Sequence, residues 1–161
     1  MSSEVEQSAA KEAAARSGIL TGRYDHALDP KKRLTIPRGW RRAMGDPEFV
    51  YVMPDKKEKC INLLPKAEMD ALLARVREKA LFDTRLNKVL QVIGSMSEQL
   101  ELDVQGRIRI SDRLLRFANL TGVVSMVGAV RMVKIWDPAA LAPEGEVDQA
   151  SLDAALQEAG L

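Results

Sequence analysis

The chain has 161 residues, 46% hydrophobic and 29% charged, a composition typical of a folded protein with one domain or two halves that share a core. Its single cysteine, Cys60, excludes an internal disulfide and a cysteine-based metal cluster, and its single histidine, His26, excludes a histidine-rich metal site and most Ser–His triads. No stretch approaches the roughly 20 apolar residues that span a bilayer, and the N-terminus lacks a secretory signal, so we expect a cytoplasmic protein with no membrane partner.

Charge is segregated along the chain. Residues 19–140 contain 22 lysines and arginines against 15 acidic residues, whereas the two ends together contain 2 against 8. The net charge of +1 therefore conceals a basic body with acidic ends. Such a body favours a polyanionic partner, although a solvated basic face is the commoner meaning of this count.

The first half of the chain predicts an extension followed by two hairpins with a helix between them. Residues 1–18, rich in Ala, Ser, Glu and Lys, predict a flexible or weakly helical extension. In residues 19–65, "LTGRYDHALD" and "RLTIP" alternate around the turn "PKK" and predict a short hairpin. "PRGWRRAMG" predicts a short helix with Pro37 in its first turn and Gly45 at its end. "FVYVMP" and "CINLLP" predict a second hairpin across the charged turn "DKKEK".

The second half repeats this order after two helices. Residues 66–95 predict connecting helices, because apolar residues recur at helical spacing in "EMDALLARV" and "RLNKVLQVI". Their apolar stripes suit a core or a subunit interface equally well. Residues 96–141 again predict a strand, a turn, a strand, a helix and two further strands, and residues 142–161 predict a linker and a short terminal helix.

An internal duplication explains this repetition. "DPKKRLTIP" begins at Asp29 and "DVQGRIRIS" begins 74 residues later, at Asp103. Each unit alone is too small to bury its apolar face, so the two copies are expected to complete one another's sheets. We therefore predict an α+β, β-rich fold with one barrel-like core, pseudo-twofold symmetry and flanking helices. A gap-free shift of 74 pairs these identical residues: Leu28 with Leu102, Asp29 with Asp103, Arg33 with Arg107, Ile36 with Ile110, Arg42 with Arg116, Val50 with Val124 and Ile61 with Ile135.

The repeated motif is an aspartate four residues before an arginine, across a tight turn. In a purely structural interpretation, the carboxylate accepts N–H groups of the turn and pairs with the guanidinium, which fixes the loop. In a functional interpretation, the aspartate also holds the arginine in one rotamer, so that its planar fork faces a phosphate or a base edge. The two interpretations are compatible.

The surroundings of the two copies differ along the chain. The first copy has no acid between Pro30 and Gly45, whereas the matching window of the second copy, residues 104–119, contains Asp112 and has a net charge of only +3. The first copy is therefore predicted to be the better polyanion site, and the second to preserve the fold and the assembly. The positive residues of the first copy are Lys31, Lys32, Arg33, Arg38, Arg41 and Arg42.

The segments "GRYDHALDPKKRLTIP", "ELDVQGRIRIS" and "VGAVRMVKIWD", in this order and spacing, resemble the MraZ family of bacterial transcriptional regulators from about Gly22 to about Leu141. The resemblance implies two AbrB-type half-domains in a swapped-hairpin, double-split β-barrel, and subunits assembled into a ring. It also implies binding to direct repeats in the promoter of the division and cell-wall gene cluster, usually as a repressor.

The resemblance assigns double-stranded DNA binding to the motif residues. Arg33 would contact guanine edges and phosphates, aided by Lys31 and Lys32, while Asp29 orients it. Lys32 stands where the family usually has a glycine, so we expect the first turn to differ in shape and to gain phosphate affinity. The matched motif residues of the second copy are Asp103 and Arg107, and Arg38, Arg41 and Arg42 would add phosphate contacts.

The remaining residues favour packing over chemistry. His26 is expected to be a packed or surface residue, Cys60 a small buried hydrophobe, and Trp40 and Trp136 core or interface residues. Gly122 and Gly128 are interpreted as turn and bulge glycines rather than as a phosphate cradle. No nucleotide-binding loop or pair of catalytic carboxylates occurs, so we expect no enzyme, no cofactor, no metal and no small-molecule substrate.

Two other classes of function remain open at this stage. In the first, the chain is a homo-oligomeric scaffold whose Asp and Arg pairs lock subunits together. In the second, it is an AbrB-like antitoxin that binds a toxin through the terminal segment, residues 144–161. No residue pattern in the sequence supports a hydrolase or a transferase.

Overall fold

The computed structural model describes residues 3–6, 18–141 and 148–161, so the predicted linker and most of the predicted N-terminal extension lie outside the described residues. Residues 3–6 are helical. The predicted terminal helix is confirmed. In chain order the elements are β1 (Arg23–Ala27), β2 (Arg33–Thr35), α1 (Arg38–Ala43), β3 (Phe49–Pro54), β4 (Ile61–Leu64), α2 (Lys66–Ala80), α3 (Arg85–Met96), β5 (Glu98–Glu101), β6 (Arg107–Arg109), α4 (Asp112–Ala118), β7 (Val123–Gly128), β8 (Val133–Trp136) and α5 (Gln149–Glu158).

The strands form two antiparallel sheets, which confirms the α+β class. A six-stranded sheet has the order β1-β7-β8-β4-β3-β5, and β2 pairs with β6 in a separate two-stranded ribbon. The predicted second hairpin is present, with Val52 opposite Leu63 in β3 and β4. The short helix α1 ends at Ala43 and is followed by Gly45 at a φ of +82°, as its sequence predicted, but Pro37 is its N-cap rather than part of its first turn.

The predicted pairing of β1 with β2 in a first hairpin is wrong. A turn does join β1 to β2, but β1 pairs with β7 and β2 pairs with β6, so each strand finds its partner in the other copy. In the same way, β5 pairs with β3 rather than with β6. The physical reason is burial: Leu34 of β2 lies opposite Ile108 of β6, and both side chains are fully buried.

The exchange of strands is reciprocal. Two of the strand pairs, Leu34 with Ile108 and Ile61 with Ile135, join residues that are themselves 74 positions apart. Strand β1 of the first copy pairs with β7 of the second copy. The corresponding strand of the second copy, β5, pairs with β3 of the first copy. Corresponding residues of the two copies therefore meet at the centre of both sheets.

One apolar core fills the space between the sheets and helices α1 and α4. Trp40 is 3% exposed, donates its indole N–H to the Thr21 carbonyl at 2.7 Å and packs edge-on against Tyr24, so the packing interpretation of this residue is confirmed. Cys60 is also buried as predicted, and burial raises the pKa of its thiol to about 11. Gly128 is required by close packing, since a Cβ atom there would lie 2.6 Å from the Leu20 carbonyl oxygen.

Helices α2 and α3 pack on one another beside β3 and β4. Each buries a single residue, Met69 in α2 and Ile93 in α3, and the other apolar residues of their stripes are half-buried or exposed. Leu81 and Phe82, which join the two helices, are 81% and 90% exposed. No helix in the described ranges is long and apolar enough to cross a membrane.

Candidate DNA-binding surface

The first turn is held by the carboxylate of Asp29. Its Oδ1 accepts the backbone N–H groups of Lys31 at 2.9 Å and Arg33 at 2.8 Å, and its Oδ2 accepts Nε of Arg33 at 2.5 Å. The backbone closes the same turn, since the Lys32 N–H donates to the Asp29 carbonyl at 2.9 Å. Arg33 is therefore fixed at both its backbone and its guanidinium, while its terminal Nη atoms form no further hydrogen bond in the described part of the chain.

The second turn repeats this geometry. Oδ1 of Asp103 accepts the N–H groups of Gln105 and Arg107, each at 2.9 Å, and Oδ2 accepts Nε of Arg107 at 2.7 Å. The Gly106 N–H donates to the Asp103 carbonyl at 2.9 Å. The structural interpretation of the motif is thus confirmed in both copies.

The hydrogen bonds keep both carboxylates ionised. Burial alone would raise the pKa of Asp29, but the hydrogen bonds from Arg33 and from the Lys31 N–H outweigh it and hold that pKa below its ordinary value. At Asp103 the Arg107 N–H is the strongest influence, and the pKa is again lowered. Each arginine therefore has a charged partner across the physiological pH range.

Lys32 adopts the same backbone conformation as Gly106, its counterpart in the second turn. Its φ is +62°, close to the +76° of Gly106, and both turns have the same hydrogen bonds. The expected difference in turn shape is therefore wrong. The lysine instead occupies a left-handed conformation that disfavours residues with a Cβ atom.

The two turns differ in what covers them. A Cβ atom at Gly106 would lie 2.4 Å from Cζ of Arg41, so the Arg41 guanidinium rests directly on the second turn. Beside the first turn, the corresponding position of α4 is Leu115, which lines a groove of about 730 Å³ together with Lys32 and Arg116. The Lys32 side chain lies at this groove and forms an ion pair with Asp112.

The sequence around the first turn contains no acid, but in the folded protein an acid from the second copy lies next to that turn. Because β2 and β6 pair, the Ile36 N–H donates to the Gly106 carbonyl at 2.9 Å, which brings the start of α1 to the second turn. Arg41 is anchored there by a hydrogen bond from its Nε to the Ile36 carbonyl at 3.0 Å. The first turn instead meets Asp112, an acid of the second copy, whose pKa the Lys32 ammonium lowers.

The paired strands gather the motif arginines on one ribbon. Leu34 and Ile108 point into the core, so their neighbours on β2 and β6 point outward. Arg33 lies opposite Arg109, and Nη1 of Arg107 approaches Oδ2 of Asp29 at 3.9 Å. The ribbon surface, defined as Arg33, Thr35, Arg107 and Arg109, therefore contains an arginine from each turn and a third one, Arg109, directly opposite Arg33.

The chain is similar to known proteins over most of its length. A family model described as "MraZ protein, putative antitoxin-like" matches residues 95–155. The protein named "Transcriptional regulator MraZ" of Clostridium acetobutylicum is 24% identical over 145 residues, which cover 89% of this chain and 100% of that protein. The chain is therefore similar to the MraZ family.

The other residues expected to bind DNA are spread around the ribbon. Lys31 is exposed at the tip of the first turn, and Arg38 is exposed at the start of α1. Arg41 is half-buried beside the second turn, not the first, and Arg42 is half-buried on α1. Neither Lys31 nor Arg38 has a side-chain partner among the described residues, so both cations are available to an anion.

Arg109 is a residue of the ribbon that the sequence analysis did not select. It is exposed and lies in register with Arg33. The alternation of Arg107, Ile108 and Arg109 was the available signal, since residues two apart on a strand share a face. No group of three or more His, Cys, Asp or Glu residues in the described ranges could hold a metal ion.

Proposed function

We propose that this protein is a transcriptional regulator that binds double-stranded DNA sequence-specifically through the ribbon surface. The observation that carries the proposal is the meeting of two Asp-x3-Arg turns, 74 residues apart in the chain, at a distance of 3.9 Å between Arg107 Nη1 and Asp29 Oδ2. The name of the Clostridium relative, a transcriptional regulator, supports the same conclusion.

The geometry of the ribbon suits a DNA groove. A two-stranded β-ribbon fits the major groove, which is about 12 Å wide, and arginine forms a bidentate contact with guanine there. Arg33 and Arg107 are fixed at Nε by Asp29 and Asp103, so their terminal nitrogens are oriented before DNA arrives. This preorganisation reduces the conformational entropy that binding would otherwise cost.

The surrounding cations would contact phosphates. Lys31 and Arg38 are exposed and unpaired in the described part of the chain, and Arg42 is half-buried on α1. Lys32 would contribute less than its charge implies, because Asp112 already neutralises part of it. Phosphate contacts give affinity without sequence preference and make that affinity fall as salt rises.

The finer architecture and the biological role are part of the same proposal. Residues 19–65 and 96–141 would be two AbrB-type half-domains, joined by the helices of residues 66–95, in a swapped-hairpin, double-split barrel; the reciprocal strand pairing supports this. Subunits would assemble into a ring, so that repeated ribbons bind direct repeats in the promoter of the division and cell-wall gene cluster. The protein would repress that promoter, in the cytoplasm and associated with the nucleoid, and would bind DNA rather than catalyse a reaction.

The test is a binding titration with the DNA upstream of the protein's own gene, at two salt concentrations, beside scrambled DNA of equal length. The proposal predicts tighter binding to the upstream DNA at both salt concentrations. If both DNAs bind equally tightly and with equal salt dependence, sequence-specific recognition is wrong and only general polyanion affinity remains.

A second candidate function rests on the terminal segment. The matching family model is described as antitoxin-like, and every residue of α5 is exposed, as a toxin-binding segment would be. Deletion of residues 144–161 distinguishes the two functions. An antitoxin would lose a co-purifying small protein on deletion, whereas the regulator proposed here has no such partner to lose.

A further inference from the structure

Helix α5 is capped at both ends but packs against nothing within the described chain. The Asp148 carboxylate accepts the Ala150 N–H at 3.2 Å at its start. At its end, Gly160 has a φ of +81° and the Leu161 N–H donates to the Leu156 carbonyl at 2.8 Å, which is a Schellman motif. All residues from 148 to 161 are nevertheless exposed. The sequence thus specifies the ends of a helix that has no buried face.

Such a helix needs a partner. Helices shorter than about 12 residues are marginal in water, and most helical stability in proteins comes from packing of an apolar face. Leu152 and Leu156 lie one turn apart on the same face and are 40% and 38% exposed. From residue 141 to the end, the chain contains five acids and no lysine or arginine. The partner surface should therefore be apolar with a basic rim.

One cavity in the structure has these properties. It has a volume of about 360 Å³ and lies between the β3–β4 hairpin and helices α2 and α3. Leu64, Leu72, Ile93 and Met96 are among the apolar residues that line it. Methionine at such a site is flexible enough to adapt to an incoming side chain.

The rim of the cavity is basic. Lys56 and Lys57, in the loop between β3 and β4, line its edge. Both are exposed, and neither side chain forms an ion pair in the part of the chain that the structure describes. The nearby Asp55 does not neutralise them, because its carboxylate is already bonded to Asn62 and Lys134. The cavity therefore offers two free cations to an acidic partner.

The cavity also contains an unsatisfied polar atom. Asn62 donates its Nδ2 to Oδ2 of Asp55 at 2.9 Å, which fixes the orientation of the amide. Its Oδ1 is buried and has no donor among the described residues. A buried acceptor without a donor costs free energy, so this part of the cavity wall is not fully satisfied within the described chain.

We propose that this cavity receives helix α5 of a neighbouring copy of the chain. Leu152 and Leu156 enter between α2, α3 and β4, and the tail acids face Lys56 and Lys57. The occupant belongs to a second copy because α5 of a single subunit remains exposed on all sides. The inference builds on the assembly part of the proposed function and names the surfaces that would join adjacent subunits.

Cross-linking between differently labelled full-length chains tests the contact. One preparation carries Leu156→Cys and the other Val92→Cys, a position at the cavity that is 39% exposed. The matched control replaces the second chain by Val123→Cys, which is 55% exposed on β7. The native Cys60 adds little background, because it is buried and its thiol pKa is about 11.

The proposal predicts a disulfide-linked dimer from the mixture with Val92→Cys and much less from the mixture with Val123→Cys. A disulfide that forms only within a chain carrying both cysteines, Leu156→Cys and Val92→Cys, would show that each tail binds its own subunit and would overturn the proposal. So would the absence of both products. If the native mass then still corresponds to several subunits, assembly uses another surface; a monomeric mass means that the proposed ring is itself wrong.

A charge-matched pair of variants provides the second readout. Leu156→Asp places a charge on the docking face of α5, and Ala154→Asp places the same charge on the opposite face. We expect native mass spectrometry to show a smaller assembly for Leu156→Asp and an unchanged one for Ala154→Asp. Equal effects of the two substitutions, or no effect of Leu156→Asp, would contradict docking through the leucine face.

Discussion

The turn from Asp29 to Arg33 and the turn from Asp103 to Arg107 have the same internal hydrogen bonds but exchanged neighbours. Arg41, from the helix of the first copy, covers Gly106 in the second turn. An acid from the helix of the second copy forms an ion pair in the first turn. The strand exchange therefore redistributes charge, so that the basic helix of one copy lies against the turn of the other.

The largest expected effect is on DNA binding when either motif arginine is removed. If both turns belong to one surface, Arg33→Ala and Arg107→Ala each remove a preorganised bidentate contact, and we expect each to lower affinity for the upstream DNA by about 10- to 100-fold. Fluorescence anisotropy at one fixed salt concentration measures this. The native mass should not change, whereas a scaffold held together by these pairs would lose its assembly.

The matched control for these variants is Arg75→Ala. Arg75 is an exposed arginine of α2, outside the ribbon surface. It should leave the affinity nearly unchanged. A loss of affinity in Arg33→Ala with none in Arg107→Ala would mean that the second turn only preserves the fold.

The next effect is on stability and concerns the two left-handed positions. Gly106→Ala forces alanine into a positive φ and displaces the guanidinium end of Arg41, so we expect a loss of about 1–2 kcal/mol in the free energy of unfolding. Lys32→Gly relieves similar strain but makes the unfolded chain more flexible, so its effect should stay within about 0.5 kcal/mol. Urea unfolding measures both. Equal and small effects would show that Arg41 does not restrict the second turn.

A smaller effect on DNA affinity is expected when Lys32 loses its ion pair with Asp112. Asp112→Asn removes the acid that pairs with Lys32, so affinity for any DNA should rise a few-fold, and the salt dependence should steepen by about one ion. Asp70→Asn is the control, since Asp70 also pairs with a lysine, Lys66, but lies on α2. If the two substitutions raise affinity equally, the gain comes from net charge rather than from Lys32.

The smallest effect is the pH dependence of stability. The pKa values of Asp29 and Asp103 lie below the ordinary value of 3.8, so the unfolded chain binds protons more readily at these groups than the folded one. Their contribution is complete above about pH 4 and is lost as pH falls through the folded pKa values. Asp103→Asn should therefore make the free energy of unfolding depend less on pH below pH 4, and Asp29→Asn should have a similar effect. A flattening confined to the range above pH 5 would contradict this assignment.

Much of the fold was predictable from the sequence because it depends on local patterns. The spacing of 74 residues aligns β2 with β6 and the start of α1 with that of α4, and the Asp-x3-Arg turns formed as their residue types predicted. Strand partners were not predictable in this way, since the alternation in "RLTIP" fits a local hairpin as well as an exchanged one. The positions of Arg41 and Asp112 follow from that exchange, which is why both were assigned to the wrong turn.

The central claim is that two turns far apart in the chain form one DNA-binding surface. Hydrogen–deuterium exchange of the full-length protein, with and without the upstream DNA, tests it in one experiment, because backbone amides covered by DNA exchange more slowly. We predict that DNA slows exchange in residues 29–35 and in residues 103–109 at the same DNA concentration. Slower exchange in residues 29–35 alone would contradict a shared surface and would assign DNA binding to the first copy only.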